Sequence, residues 1–343
     1  MKIKLKPVGV QVVVIFGASS GIGRLAALDF ARRGSKVVVS ARSEEGLKSL
    51  VEEIEAEGGE AFYIVADAAD FEQVKAVADK TVERYGRLDT WIHSAATFIF
   101  ATVEKTDPDE YKRLIEVNLL GQIYGAKAAL PHLKEKGGAL IHLSSVEAYR
   151  TAPFQSAYGT SKHGINGFLQ VLRVELAHDE IPVSVTQVLP AAINTPIYDK
   201  GRNKMPFKPR PVPPIYHPQI VVDAILYAAE NPIPEIIAGG AGVGLKFAEK
   251  FSPRLADFFS GTIGYVGQTS DEKADGKFAG SLFEPISGFD TVEGSFSDEQ
   301  LNSDPYTWLK THPQTKNNLL LAGGIIGSFL AWRAIKGKTS NEK

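Results

Sequence analysis

Two side chains in the stretch SAYGTSKHG, residues 156–164, have the types and spacing for proton chemistry: Tyr158 and Lys162. Residues four apart on a helix share a face, so both can reach one cavity. A phenol with its ordinary pKa of about 10 exchanges protons poorly at neutral pH. A neighbouring ammonium favours the phenolate and is expected to lower that pKa. Tyr158 can then protonate a carbonyl oxygen as hydride arrives, or deprotonate an alcohol in reverse, work worth about 10²- to 10⁴-fold. Gly159, Thr160 and Ser161 are small and are expected to leave room for a cofactor ribose. Tyr-x-x-x-Lys alone is common on helix surfaces, and a companion gives it weight. Ser145, at the end of ALIHLSS, supplies a hydroxyl to hold the carbonyl oxygen for attack.

Hydride chemistry needs a carrier, and FGASSGIG at residues 16–23 is built to seat one. Gly17, Gly21 and Gly23 fall between an apolar run and a helical pattern. Glycine lets the backbone turn tightly against a pyrophosphate, and the helix N-terminus adds free N–H groups and a positive dipole end. Ser19, Ser20 and Ile22 share that turn and join the candidate cofactor-binding set. An NAD site wants an acid at the end of the second strand for the ribose 2′-hydroxyl. The residues there are Ser40, Ala41 and Arg42, and a guanidinium suits a 2′-phosphate, so NADP (NADPH) is expected. Asp67 ends the third strand, where it either holds an adenine or caps the next helix, as Asp70 can.

The elements that must position these groups alternate regularly. Short Val/Ile-rich runs (VQVVVIF, KVVVSA, AFYIVAD, DTWIHSA, ALIHLSS, VSVTQVL, PEIIAG) are separated by helical periodicities. Near-continuous apolar strands indicate a parallel sheet buried on both faces. The expected fold is α/β: a doubly wound, Rossmann-type, mostly parallel seven-stranded sheet with helices on both faces. Helices are expected near 21–33, after Ser43, through Val74 to Tyr85, over 108–133 behind Thr106 and Asp107, near 157–178, and over 219–230. Residues 1–250 form the catalytic domain, with a proline-rich lid near 196–218. Residues 251–318 form an irregular extension that wraps the core or is partly mobile, and 319–336 an apolar tail.

As a set, GASSGIG, VNLLG around Asn118, Ser144–Ser145, YGTSK and PAAINTP at 190–196 resemble the shorter, non-extended branch of the short-chain dehydrogenase/reductase family. The resemblance covers about residues 8 to 240. It implies that Tyr158 is the acid/base, that Ser145 orients the substrate oxygen, and that Lys162 binds the nicotinamide ribose and tunes the tyrosine. By the same resemblance Asn118 holds a water in a proton relay, and Ile193 and Thr195 meet the carboxamide. Ala95 and Pro190 complete the cofactor-binding set. Three positions depart from the family pattern: Phe16 for a usual threonine, HSAA (93–96) for Asn-Asn-Ala-Gly, and Ala191 for a glycine. His93 and Ser94 are expected to hydrogen-bond in place of the asparagines, and no metal site is expected. A catalytically silent NADP-binding scaffold or redox sensor is the alternative; its mark would be a broken Ser–Tyr–Lys set, and here the set is whole.

Composition sets the remaining limits. Hydrophobic residues are 44% and charged residues 23%, with a formal net charge of -2, which gives no reason to expect nucleic acid or an anionic membrane as a partner. The absence of cysteine excludes disulfides and thiol chemistry and fits a cytoplasmic enzyme. The N-terminus mimics a secretory signal, but a strand over 10–16 feeding the glycine turn explains it better. Met205, Phe207, Ile215 and Tyr216 in the lid, with Phe98, Ile99 and Phe100, suggest an apolar carbonyl or alcohol substrate. Relatives assemble through long helices, so a homodimer or homotetramer through 108–133 and 157–178 is expected. The run 319–332 is apolar or small and would span about 21 Å as a helix, short of the roughly 30 Å of a bilayer. Extended to residue 335 it is a candidate membrane contact, a docking segment or a disordered tail.

Overall fold

The structure, a computed structural model, describes residues 3–315. Seven strands form one sheet: β1 Val12–Phe16, β2 Lys36–Ala41, β3 Glu60–Val65, β4 Thr90–His93, β5 Gly138–Leu143, β6 Val183–Pro190 and β7 Glu235–Ala238. All pair in parallel, in the order β7-β6-β5-β4-β1-β2-β3. The order reverses between β1 and β4, and a parallel sheet opens its ligand crevice at such a switch, beyond the strands' C-terminal ends. The first strand starts at Val12, because Val8–Val10 form a short 3-10 turn that leaves Val10 exposed.

Pleating sends Val13 and Ile15 to one face and Val14 and Phe16 to the other. The first face is covered by α1 Gly21–Arg32, α2 Glu44–Ala56 and α8 Gln219–Glu230; the second by α3 Phe71–Tyr85, α5 Gly121–Leu133 and α6 Ser156–His178. Caps fix the helix starts. The Ser43 hydroxyl accepts from Gly46 N–H (3.2 Å), and Asp70 accepts from Gln73 N–H (3.1 Å). The helix expected over 108–133 is α4 Pro108–Ile115 and α5 joined by a π turn, Glu116–Leu120, that contains Asn118. Such bulges shift the helix register locally and are frequent at functional sites.

The lid and extension are more ordered than their composition suggests. Helix α7 Ile197–Lys200 opens the lid. Residues Phe207–Pro209 pair with Thr269–Lys273, and Ile215–Tyr216 with Gln300–Leu301. The extension also carries helix Pro305–Thr311, capped by Asp304. Helices α9 Ala241–Phe251 and α10 Pro253–Phe259 stand over the C-terminal ends of the sheet's β5–β7 side. No helix among the described residues is long and apolar enough to cross a membrane, and the 319–336 segment lies outside them.

Candidate active site

At the switch point a single cavity of about 570 Å³ runs from Arg42 and Asp67, past the glycine turn, to Ser145, Tyr158 and Lys162. Gly17, Ser19, Ser20, Gly21, Ile22, Ala95, Pro190, Ile193 and Thr195 line it too. Gly23 does not. It lies beneath the turn, where a Cβ would come within 2.2 Å of the Gly17 carbonyl oxygen, so its part is to let the turn close.

Ser145 follows β5, and α6 presents Tyr158 and Lys162 one turn apart toward it. The Lys162 ammonium donates to the Leu143 carbonyl (3.2 Å) and lies 5.1 Å from the centroid of the Tyr158 ring. The Ser145 Oγ accepts from Glu147 N–H (3.2 Å). The lowered phenol expected from sequence is not what the chain's own groups produce. Burial pushes the Tyr158 pKa well above its usual value, Glu147 adds to the rise, and hydrogen bonding with Ser145 opposes it. Burial also brings Lys162 down to about 7. Desolvation therefore outweighs the ammonium, and Tyr158 is held as a phenol, the proton-donating form.

Other expectations are corrected. The room left by Gly159 is filled by the Thr151 side chain, whose Oγ1 would lie 2.1 Å from a Cβ there; no ribose can enter it. The Asn118 side chain is buried and taken up by Thr97, accepting from its N–H (2.7 Å) and donating to its carbonyl (2.9 Å). Among the apolar residues expected to meet substrate, Phe98 lines the cavity; Met205 instead packs with Phe98, Phe100 and Phe154. The cavity's apolar wall comes from Ile197, Val212, Leu245, Phe259, Ile263 and Phe289.

The adenosine end carries the largest surprise. Arg42, expected to be free, donates to the carbonyls of Phe283 (2.6 Å) and Ser281 (2.5 Å), and Gly21 N–H donates to the Thr291 carbonyl (2.8 Å). The extension thus closes this end of the cavity. Asp67 accepts from Ala69 N–H (2.9 Å) and pairs with Arg113 (2.6 Å), while Asp70 does the helix capping. Lys200, which sequence reading missed, lies half-buried at the cavity wall, donates to Ser20 Oγ (2.6 Å), and is brought down to about 8 by loss of solvent. The turn, the helix end and these cations suit a dinucleotide phosphate. A guanidinium has five donors, so Arg42 can hold the extension and still offer others.

The profile of the short chain dehydrogenase family matches residues 11–206. This chain belongs to that family. It is 32% identical over 340 residues to the uncharacterized oxidoreductase YxnA of Bacillus subtilis, covering 98% of this chain and 93% of that protein. It is also 32% identical over 229 residues to the 3-oxoacyl-[acyl-carrier-protein] reductase FabG of Thermotoga maritima, covering 64% and 91%. An alcohol dehydrogenase from the archaeon Thermococcus sibiricus, solved in complex with 5-hydroxy-NADP, superposes with a TM-score of 0.59 at 28% identity, covering 66% of this chain and 95% of that one.

Within this short-chain dehydrogenase/reductase the departures from the family pattern compensate one another. Phe16 and His93 stack nearly parallel, 5.1 Å apart, and neither His93 ring nitrogen has a hydrogen-bond partner among the described residues. The expected hydrogen bonding by His93 is replaced by stacking, and burial drives its pKa well below the usual histidine value. Strand tying passes to Gln122 on α5. Its amide donates to the carbonyls of His93 (3.2 Å) and Leu143 (3.1 Å), and its oxygen bonds His142 Nδ1 (2.7 Å).

Glu147, also missed from sequence, lines the cavity, and its Oε2 is sealed without a hydrogen bond among the described residues. Burial raises its pKa to about 8. The native state therefore keeps a proton that the unfolded chain releases near the ordinary carboxylate range. That stability is full in acid and is lost as pH rises through about 8. Glu147→Gln is expected to gain melting temperature relative to the parent at pH 9 but not at pH 5, as thermal unfolding across that range will read.

Proposed function

We propose that this oxidoreductase uses NADP to interconvert a carbonyl and a primary or secondary alcohol, with Tyr158 as acid/base. The observation that carries the reading is the meeting of Ser145, Tyr158 and Lys162 on one wall of the cavity that begins at the glycine turn. The bound nicotinamide supplies or accepts the hydride at carbon. Ser145 hydrogen-bonds the substrate oxygen and Tyr158 delivers its proton there, so reduction ends with new C–H and O–H bonds. Lys162 fixes the phenol from the Leu143 carbonyl and offers its remaining hydrogens to a ribose. Ile193 and Thr195 face the carboxamide end, and Asn118 acts through the π turn by holding Thr97 in place. The apolar wall favours an apolar substrate. The enzyme works in the cytoplasm and assembles with copies of itself, a reading supported by Val171 and Val174, which α6 leaves exposed.

Support for NADP comes from Arg42 and Lys200 at the adenosine side, with no carboxylate among Ser40, Ala41 and Arg42. Oxidation of NADPH and NADH against a panel of ketones and aldehydes tests the reading; cofactor binding without turnover on every substrate would favour a silent sensor. Arg42→Leu is expected to lower kcat/KM roughly 10- to 100-fold with NADPH, the worth of a charge-assisted hydrogen bond of about 1.5–3 kcal/mol, and a few-fold with NADH. An equal loss with both would confine Arg42 to holding the extension.

A further inference from the structure

Helices α9 and α10 and the turn after them form a hairpin with two unlike faces. The inner face belongs to the cavity: Leu245, Ala248, Ala256 and Ser260 line it. Arg150 draws in that side's polar groups, bonding Glu249 (3.0 Å), Asp257 (2.6 Å) and Ser260 (3.1 Å). The outer face is apolar and bare. Phe251 is 93% exposed, Val266 70% and Phe247 66%, with Phe258, Ile263 and Phe259 also exposed. The spacing 247/251 places both residues on one side of α9, and Phe259, Ile263 and Val266 continue the exposed set along α10 and the turn after it. Contiguous exposed apolar surface marks a docking site.

Charge and position indicate what covers it. The hairpin's two acids, Glu249 and Asp257, both turn to Arg150, whose single charge offsets one of them, and Lys246 pairs with Glu235 (2.5 Å). Lys250 and Arg254 are exposed and have no ion pair among the described residues, so they outweigh the one acid left over and the hairpin carries a net positive charge. Phe259 and Ile263 belong to the exposed stripe and also line the cavity. A second protein chain seated there would obstruct the mouth, whereas a fluid apolar phase would leave it open. Past the described residues the sequence adds the apolar run 319–332, followed by Arg333, Lys336 and Lys338.

We propose that the outer face of this hairpin rests on an anionic lipid bilayer, with aromatic side chains in the acyl boundary, Lys250 and Arg254 among the headgroups, and the cavity mouth turned to the membrane. Interfacial helices bind by this combination of apolar area and basic charge without spanning. The inference does not depend on turnover, because docking is read without substrate or cofactor.

The test is co-sedimentation of the full chain with vesicles of phosphatidylcholine alone and of phosphatidylcholine with about 30% phosphatidylglycerol, which supplies an anionic surface. The parent chain is expected to bind both, and the anionic vesicles more tightly. The triple variant F251S/F258S/V266S, which leaves the cavity lining intact, is expected to lose about 100-fold in partitioning to both. The double variant K250E/R254E is expected to lose about 30-fold or more on anionic vesicles alone. Unchanged thermal unfolding and NADPH binding certify the fold. Failure of the parent chain to bind, or equal binding by parent and triple variant, overturns the proposal. So does a triple variant that changes from oligomer to monomer by light scattering while its vesicle binding is unaltered. A chain that docks but turns over no carbonyl would overturn the redox reading and leave the docking intact.

Discussion

Tyr158→Phe is expected to reduce turnover by about 10²- to 10⁴-fold while cofactor affinity changes little. The variant removes one oxygen and keeps the ring, which packs edge-on against Phe98 with centroids 5.6 Å apart and under the Lys162 ammonium at 5.1 Å. The fold and the seat of the cofactor should therefore survive. What disappears is the proton that must reach the substrate oxygen as hydride reaches carbon. Because burial holds this phenol protonated, the loss should appear in reduction across the neutral range rather than only at high pH. Steady-state NADPH oxidation gives the rate, and quenching of protein fluorescence by NADPH gives the affinity. A variant within a few-fold of the parent would remove Tyr158 from the chemistry.

Gly17→Ala should damage both stability and cofactor binding. Gly17 sits at φ 91°, a left-handed conformation that side chains disfavour, and its Cβ would fall 2.3 Å from Ala95 N and 2.5 Å from Ala95 Cα. Those are backbone atoms at the point where the chain leaves β4, so neither can swing aside. Strain and overpacking together cost about 3 kcal/mol or more, which lowers the melting temperature by several degrees. Relief would come by parting β1 from β4, which opens the floor of the cofactor turn, so NADPH affinity should fall beyond tenfold. Gly58 provides the comparison. It has φ 81° but nothing within 4 Å of a Cβ, and Gly58→Ala should show only a conformational cost of about 1 kcal/mol with cofactor binding unchanged. Equal effects at the two positions would mean that crowding at the switch point is unimportant.

The contrast between these glycines shows how sequence and structure divide the information. Phe16 and His93 each read as a lost polar residue when taken singly. Their stacking, and the transfer of strand tying to Gln122, needs three elements brought together. Gly159 read as space for a ribose because its neighbours in the chain are small; Thr151, from the loop before α6, fills that space. Among the chain's own groups, burial raises the pKa of Tyr158 above its usual value, against the pull that the spacing to Lys162 implies. Sequence spacing announces the ammonium, but only packing measures how much water is excluded from both groups.

The periodicity of apolar residues determined the strands and helices, and the glycine turn and the Tyr-x-x-x-Lys spacing determined where a dinucleotide and a proton donor would sit. Those signals act within a turn or two of chain, so local geometry is enough to fix them. Tertiary structure alone decided that Ser281, Phe283 and Thr291 close over Arg42 and Gly21, as it decided that Glu147 Oε2 is sealed at the catalytic end and that α9 and α10 turn an apolar face outward. Arg42 and Ser281 are 239 residues apart. Contacts of that range depend on where the sheet carries the two segments, and no pattern within either segment records it.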